Sequence, residues 1–329
     1  MRNHLWLLSA FSVAASLSLG VTGAEAKKTE GSHVRQVHRA LDVGKKDPSS
    51  WVEARLQAIF IQGADGKYSV EELPGGKNVN TKLPMASIQK IVAAEVVFDA
   101  LAKKEISLTD MVPILDETWS FPDSNFARVG LPKGIKEMPV SAALAHTIKL
   151  SSNPMIRNLG IFVAGSKEEF VARMNRKVKM WEMDDTYFVT ESGLPGKNRV
   201  QGYSTAKDLL ILLQHILPHI AQYREYIYPP LPYWNPPTNR TARQIAREKA
   251  EKELIELGVV FKTGTVDGCK SAVAMTEKAF DIRLCIQGED QFSGAIQAFK
   301  YTFPKAVNTP LETVSPPIIS TVSSRQAQP

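Results

Sequence analysis

Three short motifs that lie far apart in the chain constrain its fold more than any other feature. They are Ser87-Ile88-Gln89-Lys90, Ser151-Ser152-Asn153 and Lys262-Thr263-Gly264, and the second and third begin 64 and 111 residues after the motif before. The first offers a hydroxyl nucleophile with an amine one helical turn away, the second a hydroxyl and an amide, and the third a cation beside a residue without a side chain. They can perform acyl transfer together only if the fold brings these distant stretches to one place.

The first motif is weak evidence when it stands alone, because Ser-x-x-Lys fixes only two common residues. A second copy, Ser204-Thr205-Ala206-Lys207, is most simply a helix start with Ser204 or Thr205 as its cap. Ser87 can also be interpreted as a cap, but Lys90 stands where a capping box has Glu or Gln and where a cation opposes the helix dipole. That position should lower the pKa of the Lys90 amine, as a general base at neutral pH requires.

The residues that follow Ser87 are apolar almost all round, which predicts a helix buried in the middle of a domain. A nucleophile on the first turn of such a helix is rigidly held. Its backbone N–H points out of the helix end and can serve as one oxyanion donor.

The second and third motifs also have plain structural interpretations. Ser151-Ser152-Asn153-Pro154 is a good helix start, with Asn153 as the cap and Pro154 at the first helical position. The same capping loop could present Ser151 and Asn153 to a cleft. Lys262-Thr263-Gly264 could be an ordinary strand end, but a glycine inside a strand often marks a place where a ligand backbone approaches closely.

The order and spacing of the motifs, together with three short sequence segments, resemble those of a known enzyme family. The segments are Pro84-Met85-Ala86-Ser87, Ser192-Gly193-Leu194 and Tyr203-Ser204-Thr205-Ala206-Lys207-Asp208-Leu209. Over about residues 51–303 the chain resembles the low-molecular-mass penicillin-binding proteins, the D-alanyl-D-alanine carboxypeptidase and endopeptidase family (peptidase S11-like). It is most similar to the small single-domain D,D-endopeptidases, because the residues from Asn308 onward have neither the length of an extra β-domain nor the pattern of a membrane-lying helix.

Strands near both ends of the sequence, with helices between them, predict one sheet built from distant segments. The predicted strands are 58–61 and 67–72, which form a hairpin, then 259–261, 271–277 and 280–287. Residues 290–303 are predicted to close the domain as an amphipathic helix. The resemblance implies a mixed α/β (α+β) fold of the penicillin-binding-protein and serine β-lactamase type, in which helices and an inserted helical subdomain flank a five-stranded antiparallel sheet. The active site is expected in the cleft between the sheet and the helical part.

The chain is predicted to be exported and processed. Arg2, an apolar stretch over 5–21 and the small-x-small site Ala24-Glu25-Ala26 have the pattern of a signal peptide over 1–26. We expect cleavage near Ala26 and a periplasmic protein without a firm membrane anchor. The mature part is predicted to contain three segments, which are a flexible lead (27–50), a transpeptidase-like catalytic domain (51–306, with its helical part at about 105–225) and a disordered tail (307–329).

The resemblance implies a serine acyl-enzyme mechanism. Lys90 takes the proton of Ser87, whose oxygen attacks the carbonyl of the penultimate D-alanine, and the N–H groups of Ser87 and Thr265 bind the developing oxyanion. Water then releases the acyl group. A β-lactam antibiotic mimics the acyl donor and is expected to leave Ser87 blocked.

The resemblance also assigns roles to the other motif residues. Ser151 relays a proton to the leaving amine, and Asn153 holds the substrate amide. Lys262 and Thr263, beside Gly264, bind the carboxylate after the scissile bond. The implied substrates are peptidoglycan stem peptides, and either a D-alanyl cross-link (endopeptidase) or a terminal D-Ala-D-Ala bond (carboxypeptidase) can be cut.

Two other interpretations stay open. The first is a class A β-lactamase. Those enzymes hydrolyse the acyl-enzyme with a Glu in a Glu-x-x-Leu-Asn context, whereas Glu191-Ser192-Gly193-Leu194 matches the corresponding segment of the carboxypeptidases. A catalytically inactive, wall-binding relative is the second, because residues 223–257 lack the usual Asn-x-Asn-x-Leu approach to the third motif. Ser152 also stands where the family often has Gly.

No cofactor, metal or nucleic acid is predicted. His215 and His219 are four residues apart, as metal ligands on a helix can be, but Pro218 interrupts the turn and no Glu follows His215. The formal net charge is +6, yet no run of Lys and Arg is dense enough for a nucleic-acid groove.

Cys269 and Cys285 are the only cysteines. Outside the cytoplasm such a pair can oxidise. If 271–277 and 280–287 form a hairpin, the two lie opposite each other or one register apart, within reach of a disulfide. The alternative is two half-buried thiols.

Overall fold

The computed structural model describes residues 51–62, 68–120, 131, 134–233, 239, 241–288 and 290–306. The predicted signal peptide (1–26), lead (27–50) and tail (307–329) lie outside the described residues. Within the described part, no helix combines the length and the hydropathy that a membrane crossing requires.

The central sheet joins strands from both ends of the chain. The described strands are β1 (Ala54–Gln62), β2 (Tyr68–Glu72), β3 (Met111–Pro113), β4 (Glu137–Pro139), β5 (Val260–Val266), β6 (Cys269–Met275) and β7 (Ala279–Leu284). Five of them form one sheet in the order β2-β1-β7-β6-β5, and every neighbouring pair is antiparallel. The predicted hairpin and the five-stranded antiparallel sheet are confirmed. β3 and β4 pair separately as a small sheet that we did not predict.

Eight of the nine described α-helices lie between β2 and β5. The described α-helices are α1 (Lys90–Ala102), α2 (Glu117–Ser120), α3 (Val140–Ile148), α4 (Asn153–Ala164), α5 (Lys167–Met180), α6 (Ala206–Ile216), α7 (Ile220–Ile227), α8 (Ala242–Glu256) and α9 (Ser293–Gln297). Short 3-10 turns span Ala86–Gln89, Lys197–Arg199 and Leu217–His219. Thr205 caps α6 by accepting a hydrogen bond from the Asp208 N–H, so the second Ser-x-x-Lys copy is a helix start, as predicted.

The main core lies between one face of the sheet and the helices. Alternate residues of β1, among them Ala54, Leu56 and Ala58, are fully buried, as expected for a strand with one face against a core. α1 packs against α3, α4 and α5, and nearly all of its side chains are buried. The predicted central helix is therefore confirmed, and it provides a rigid support for the residues at its start.

A second, smaller core covers the opposite face of the sheet. It joins Ala274 and Ala279 of the sheet to side chains of α8 and of the segment that contains α9. The predicted helix over 290–303 is shorter than expected, because Asp290 accepts hydrogen bonds from the N–H groups of Phe292 and Ser293 and α9 begins only there. Residues Ala298–Thr302 then continue as a wider π-helical turn. The sheet is thus covered on both faces, and β5 forms one of its two edges.

Candidate active site

The first motif forms a tight turn at the start of the central helix. Ser87 lies in the 3-10 turn, and Lys90 is the first residue of α1, so the α-helix begins three residues later than the motif. Lys90 Nζ lies 2.8 Å from Ser87 Oγ. Ala86, directly before Ser87, has φ +48°, a left-handed conformation that costs energy for a residue with a Cβ. The turn therefore places the Ser87 hydroxyl next to the lysine amine, and the backbone of Ala86 is strained as a result.

Lys90 is almost fully buried and connects three parts of the site. Besides Ser87, its ammonium donates to Asn153 Oδ1 at 2.6 Å and to the Ser192 carbonyl oxygen at 2.6 Å. A lysine ammonium has three N–H donors, and each has an acceptor here. Lys90 must give up one of these protons before it can take the proton of Ser87.

The second motif is arranged differently from our prediction. Ser152, not Asn153, is the cap of α4: its backbone is extended and its Oγ accepts a hydrogen bond from the Met155 N–H at 3.3 Å. Our prediction of Asn153 as the cap was wrong, because a serine hydroxyl one residue earlier takes that position and moves Pro154 to the second helical position. The Asn153 side chain is consequently available for Lys90.

The third motif lies on the edge strand β5. Lys262 Nζ donates to Ser151 Oγ at 2.7 Å and to the Thr263 carbonyl oxygen at 2.9 Å. Ser151 has φ +59°, a second strained residue of the site. Burial lowers the pKa of Lys262 well below that of a free lysine, and the nearby positive charges of Lys90 and Arg247 lower it further.

Gly264 is required by the protein itself. A Cβ on this residue would lie 2.7 Å from the Met85 carbonyl oxygen and 2.9 Å from the Ser87 nitrogen. The close approach of a ligand backbone at this glycine stays a prediction. The turn that carries Ser87 also approaches Gly264 closely, and this contact brings the first and third motifs together.

Gln291, which lies just before α9, joins the two strands next to the site. Its Nε2 donates to the carbonyl oxygens of Gly264 at 2.6 Å and Ser271 at 2.9 Å, and these two residues are cross-strand partners. Both carbonyl oxygens therefore point between β5 and β6. Since N–H and C=O groups alternate in direction along a strand, those of Thr265 point to the open edge of the sheet. This is the direction that an oxyanion donor requires.

Three contributors to the site were not among our predicted site residues. Ser192 supplies a carbonyl oxygen to Lys90, and Gly193, at φ +89°, packs so closely that a Cβ would lie 2.1 Å from the Ala86 carbonyl oxygen. Both belong to the segment Ser192-Gly193-Leu194, which carries part of the family resemblance, so the sequence could have identified them as site residues. Gln291 has no motif around it, and only its position beside β5 and β6 reveals it.

The two cysteines are joined by a disulfide and are fully buried. Cys269 begins β6, and Cys285 follows β7 directly. Cys269 Sγ lies 3.4 Å from the Pro84 carbonyl oxygen. The disulfide therefore lies next to the segment that leads into the Ser87 turn.

The histidine pair makes contacts of other kinds. His215 stacks on Trp181 with 4.8 Å between ring centroids, and His219 Nδ1 lies 3.1 Å from a carboxylate oxygen of Glu95. Among the residues that the structure describes, no group of three or more His, Cys, Asp or Glu side chains is placed to hold a metal ion.

Comparison with known proteins gives consistent matches. A family model described as D-alanyl-D-alanine carboxypeptidase matches residues 57–286. The chain is 31% identical over 175 residues to the D-alanyl-D-alanine carboxypeptidase DacF of Bacillus subtilis, a match that covers 53% of this chain and 41% of that protein. It is also 31% identical over 137 residues to a D-alanyl-D-alanine endopeptidase of Pseudomonas aeruginosa, which covers 42% of this chain and 41% of that protein. The chain therefore matches about two fifths of the length of each of these relatives.

The fold is also similar to solved structures. One is penicillin-binding protein D2 from Listeria monocytogenes in its ampicillin-bound form, with a TM-score of 0.54 and 19% identity. The match covers 77% of this chain and 96% of that one. At this level of identity the similarity establishes the fold alone.

Proposed function

Because the chain belongs to the D-alanyl-D-alanine carboxypeptidase family, we propose that it is a serine D,D-peptidase that acts on peptidoglycan stem peptides through a Ser87 acyl-enzyme. One observation carries this proposal. Two connected pairs, Ser87 with Lys90 and Ser151 with Lys262, come from all three motifs and meet beside the open edge of β5.

The proposed reaction begins with proton transfer. Neutral Lys90 takes the Ser87 hydroxyl proton, and Ser87 Oγ forms a bond to the carbonyl carbon of the penultimate D-alanine. The oxygen of that carbonyl gains the negative charge, and we assign the N–H groups of Ser87 and Thr265 as its donors. The outward direction of the Thr265 N–H supports this assignment.

The second half of the reaction uses the other two motifs. As the carbonyl carbon loses its bond to the leaving nitrogen, Ser151 passes its proton to that nitrogen and regains the one that Lys90 took from Ser87. Water then attacks the acyl carbonyl carbon and gives a proton to neutral Lys90, which returns it to Ser87 Oγ as the ester bond breaks. Lys262 supports this role because its ammonium donates to Ser151 Oγ. We assign the substrate carboxylate to Lys262 and Thr263, and the substrate amide to Asn153.

The family contains enzymes named for two cleavages, and we propose that this protein performs one or both. A terminal D-Ala-D-Ala bond and a D-alanyl cross-link share the same acyl half, and the relatives include a carboxypeptidase and an endopeptidase. Mass spectrometry of monomeric and cross-linked muropeptides after digestion distinguishes them. Loss of terminal D-alanine identifies the carboxypeptidase, and loss of cross-linked species identifies the endopeptidase.

We further propose that the protein is exported to the periplasm, where these substrates occur, and that β-lactam antibiotics acylate Ser87. The sequence pattern of the first 26 residues supports export. The ampicillin-bound penicillin-binding protein of the same fold supports the second point. We do not propose a β-lactamase, because Glu191 does not stand in the Glu-x-x-Leu-Asn context of those enzymes and its buried carboxylate is bound to Arg157 at 2.9 Å.

Labelling with a fluorescent penicillin tests the proposal. The wild-type protein is expected to become covalently tagged, because an activated serine opens the β-lactam ring. The Ser87→Ala variant should not be tagged, whereas Ser204→Ala, which alters the other Ser-x-x-Lys copy, should be tagged like the wild type. A folded wild-type protein that stays untagged contradicts the enzymatic proposal and favours the inactive wall-binding alternative.

A further inference from the structure

A cleft of about 650 Å³ lies beside the site, between α8 and the start of α9. Arg243, Gln244 and Arg247 of α8 line one side. Lys270 of β6 and Gln291 line the other. α8 belongs to the segment 223–257, in which the sequence departs from the family pattern, so this cleft is a feature of this chain that the shared motifs do not explain.

The cleft is positively charged. Among the described residues, its lining contains three cationic side chains, Arg243, Arg247 and Lys270, and one acidic side chain, Asp290. The Asp290 carboxylate accepts hydrogen bonds from the N–H groups of Phe292 and Ser293 at the start of α9. These hydrogen bonds hold its negative charge at the helix start. Arg247 is bound to Glu251 at 2.7 Å. Even with Glu251 counted, positive charge is in excess, and such a cleft favours an anionic group.

Two residues connect the cleft to the catalytic strand. Gln291 lines the cleft and donates to the Gly264 carbonyl oxygen. Lys270 is the cross-strand partner of Thr265, and partners of this kind have Cα atoms about 5 Å apart. The cleft therefore begins about one strand spacing from the proposed oxyanion donor. α8 also contacts β5, the strand that carries Lys262.

The direction of β5 indicates which part of a substrate would reach the cleft. In the proposed function the terminal carboxylate lies at Lys262 and Thr263, and the scissile carbonyl lies at Thr265. Substrate residues ahead of the scissile bond therefore continue along the edge beyond Thr265. An extended peptide advances about 3.4 Å per residue and directs alternate side chains to opposite faces of the sheet. A side chain two or three residues ahead of the bond can thus point to the face on which the cleft lies.

We propose that this cationic cleft binds a second carboxylate of the peptide substrate, carried by a side chain two or three residues ahead of the bond that is cut. The proposal rests on the proposed function for the orientation of the peptide. It gives the segment 223–257 a role in substrate selection, with Arg243 and Lys270 as the residues that recognise the charge.

Binding to the inactive full-length Ser87→Ala variant tests this without chemistry. The probes are peptides that end in D-Ala-D-Ala and carry either Glu or Gln at the second or third position ahead of the scissile bond. We expect the Glu peptide to bind roughly three- to tenfold more tightly than its Gln counterpart at one of these positions. Adding Arg243→Ala and Lys270→Ala should bring the two affinities within about twofold, by loss of affinity for the Glu peptide alone.

The matched control removes two cations from the other side of the same helix. Lys249→Ala with Lys252→Ala, which lie outside the cleft, should leave the preference for Glu unchanged. Equal affinities for Glu and Gln peptides in the Ser87→Ala protein overturn the proposal. So does a preference that survives the loss of Arg243 and Lys270. Thermal unfolding of each variant shows whether it has folded.

Penicillin labelling separates the two proposals. If wild-type protein is labelled but shows no preference for Glu, the cleft proposal fails and the proposed peptidase function stands. If the preference is present and depends on Arg243 and Lys270, but labelling fails, the cleft is a carboxylate site of a peptide-binding protein and the peptidase function fails.

Discussion

Lys262 shares the site with a second buried lysine, Lys90. It is almost fully buried, and Lys90 is close enough for its positive charge to lower the pKa of Lys262. A lysine with a lowered pKa loses its proton at a lower pH than a free lysine does. If Lys262 binds the substrate carboxylate, as proposed above, that attraction is lost as the pH rises through this lowered value.

This predicts the pH dependence of Lys262→Arg. A guanidinium stays charged throughout the working range, so the fall in kcat/KM at alkaline pH should begin at a higher pH in the variant than in the wild type. The measurement compares a peptide that ends in a carboxylate with the same peptide ending in a carboxamide, because only the carboxylate is attracted by the positive charge of residue 262. If the ratio of the two kcat/KM values falls at the same pH in both proteins, Lys262 is not the carboxylate-binding group.

At the scale of elements, the contact between β5 and the Ser87 turn decides the geometry of the site. The strand and the turn approach so closely that Gly264 has no room for a Cβ. The oxyanion donors proposed above come from these two elements, one from each. Their separation therefore depends on a residue without a side chain.

We expect Gly264→Ala to lower the rate of penicillin labelling by about 100-fold, because a methyl group moves the turn and a misplacement of about 1 Å has that effect. Overpacking should also lower the free energy of unfolding by about 1–3 kcal/mol. Gly258→Ala is the control, since that glycine has φ +71° but a Cβ there would have no heavy atom of the described residues within 4 Å. It should lose about 1–2 kcal/mol from backbone strain and keep its labelling rate. Unchanged labelling in Gly264→Ala contradicts the prediction.

A buried histidine attaches the segment 223–257 to α3. His146 Nε2 donates to the Pro232 carbonyl oxygen at 2.8 Å, while its buried Nδ1 has no hydrogen-bond partner among the residues that the structure describes. A proton on Nδ1 would have no acceptor among these residues, and burial lowers the pKa of His146 below its usual value. The unfolded chain therefore binds a proton at a pH where the folded protein does not.

The pH dependence of stability follows from this difference. The stability that depends on neutral His146 is present above the pKa of the unfolded chain, about 6.5, and is lost as the pH falls below it. His146→Gln keeps an N–H donor and cannot titrate, so its Tm should fall less than that of the wild type between pH 7 and pH 5. Thermal unfolding at both pH values measures this. An equal fall in the two proteins shows that His146 does not contribute.

At the scale of the whole molecule, the sheet and the disulfide bring distant parts of the chain to the site. β1 pairs with β7, with Ala54 opposite Leu284. The disulfide joins Cys269 and Cys285, which are 16 residues apart. It lies next to Pro84, in the segment that leads into the Ser87 turn. The site is thus built on strands from both ends of the domain.

Removal of both cysteines, as Cys269→Ala with Cys285→Ala, should lower stability by about 3 kcal/mol, because the cross-link restricts a loop of this length in the unfolded chain. For a domain of this size that corresponds to a Tm about 6–12 °C lower. Reductant should lower the Tm of the wild type and leave that of the variant unchanged. A variant with the wild-type Tm in the absence of reductant contradicts the prediction.

The sequence by itself determined the parts of this protein that local pattern controls. The apolar run after Ser87 predicted the buried helix, because a helix hydrophobic all round has no face for solvent. Alternation and turn residues predicted the β1–β2 hairpin. Three motifs in a fixed order, with their flanking sequence segments, identified the family, because together they are far more specific than any one motif.

Only the tertiary structure decided what depends on contacts between distant residues. Asn153 and Ser152 are both good caps by composition, and the packing of the second motif against Lys90 decides between them. The third motif does not show that Gly264 faces a neighbouring turn, and only the positions of Met85 and Ser87 reveal this contact. Gln291 and the cationic cleft have no local signature at all, because they arise where α8, β6 and the start of α9 meet. Local sequence determines which elements form, whereas the surfaces between those elements depend on how the whole chain packs.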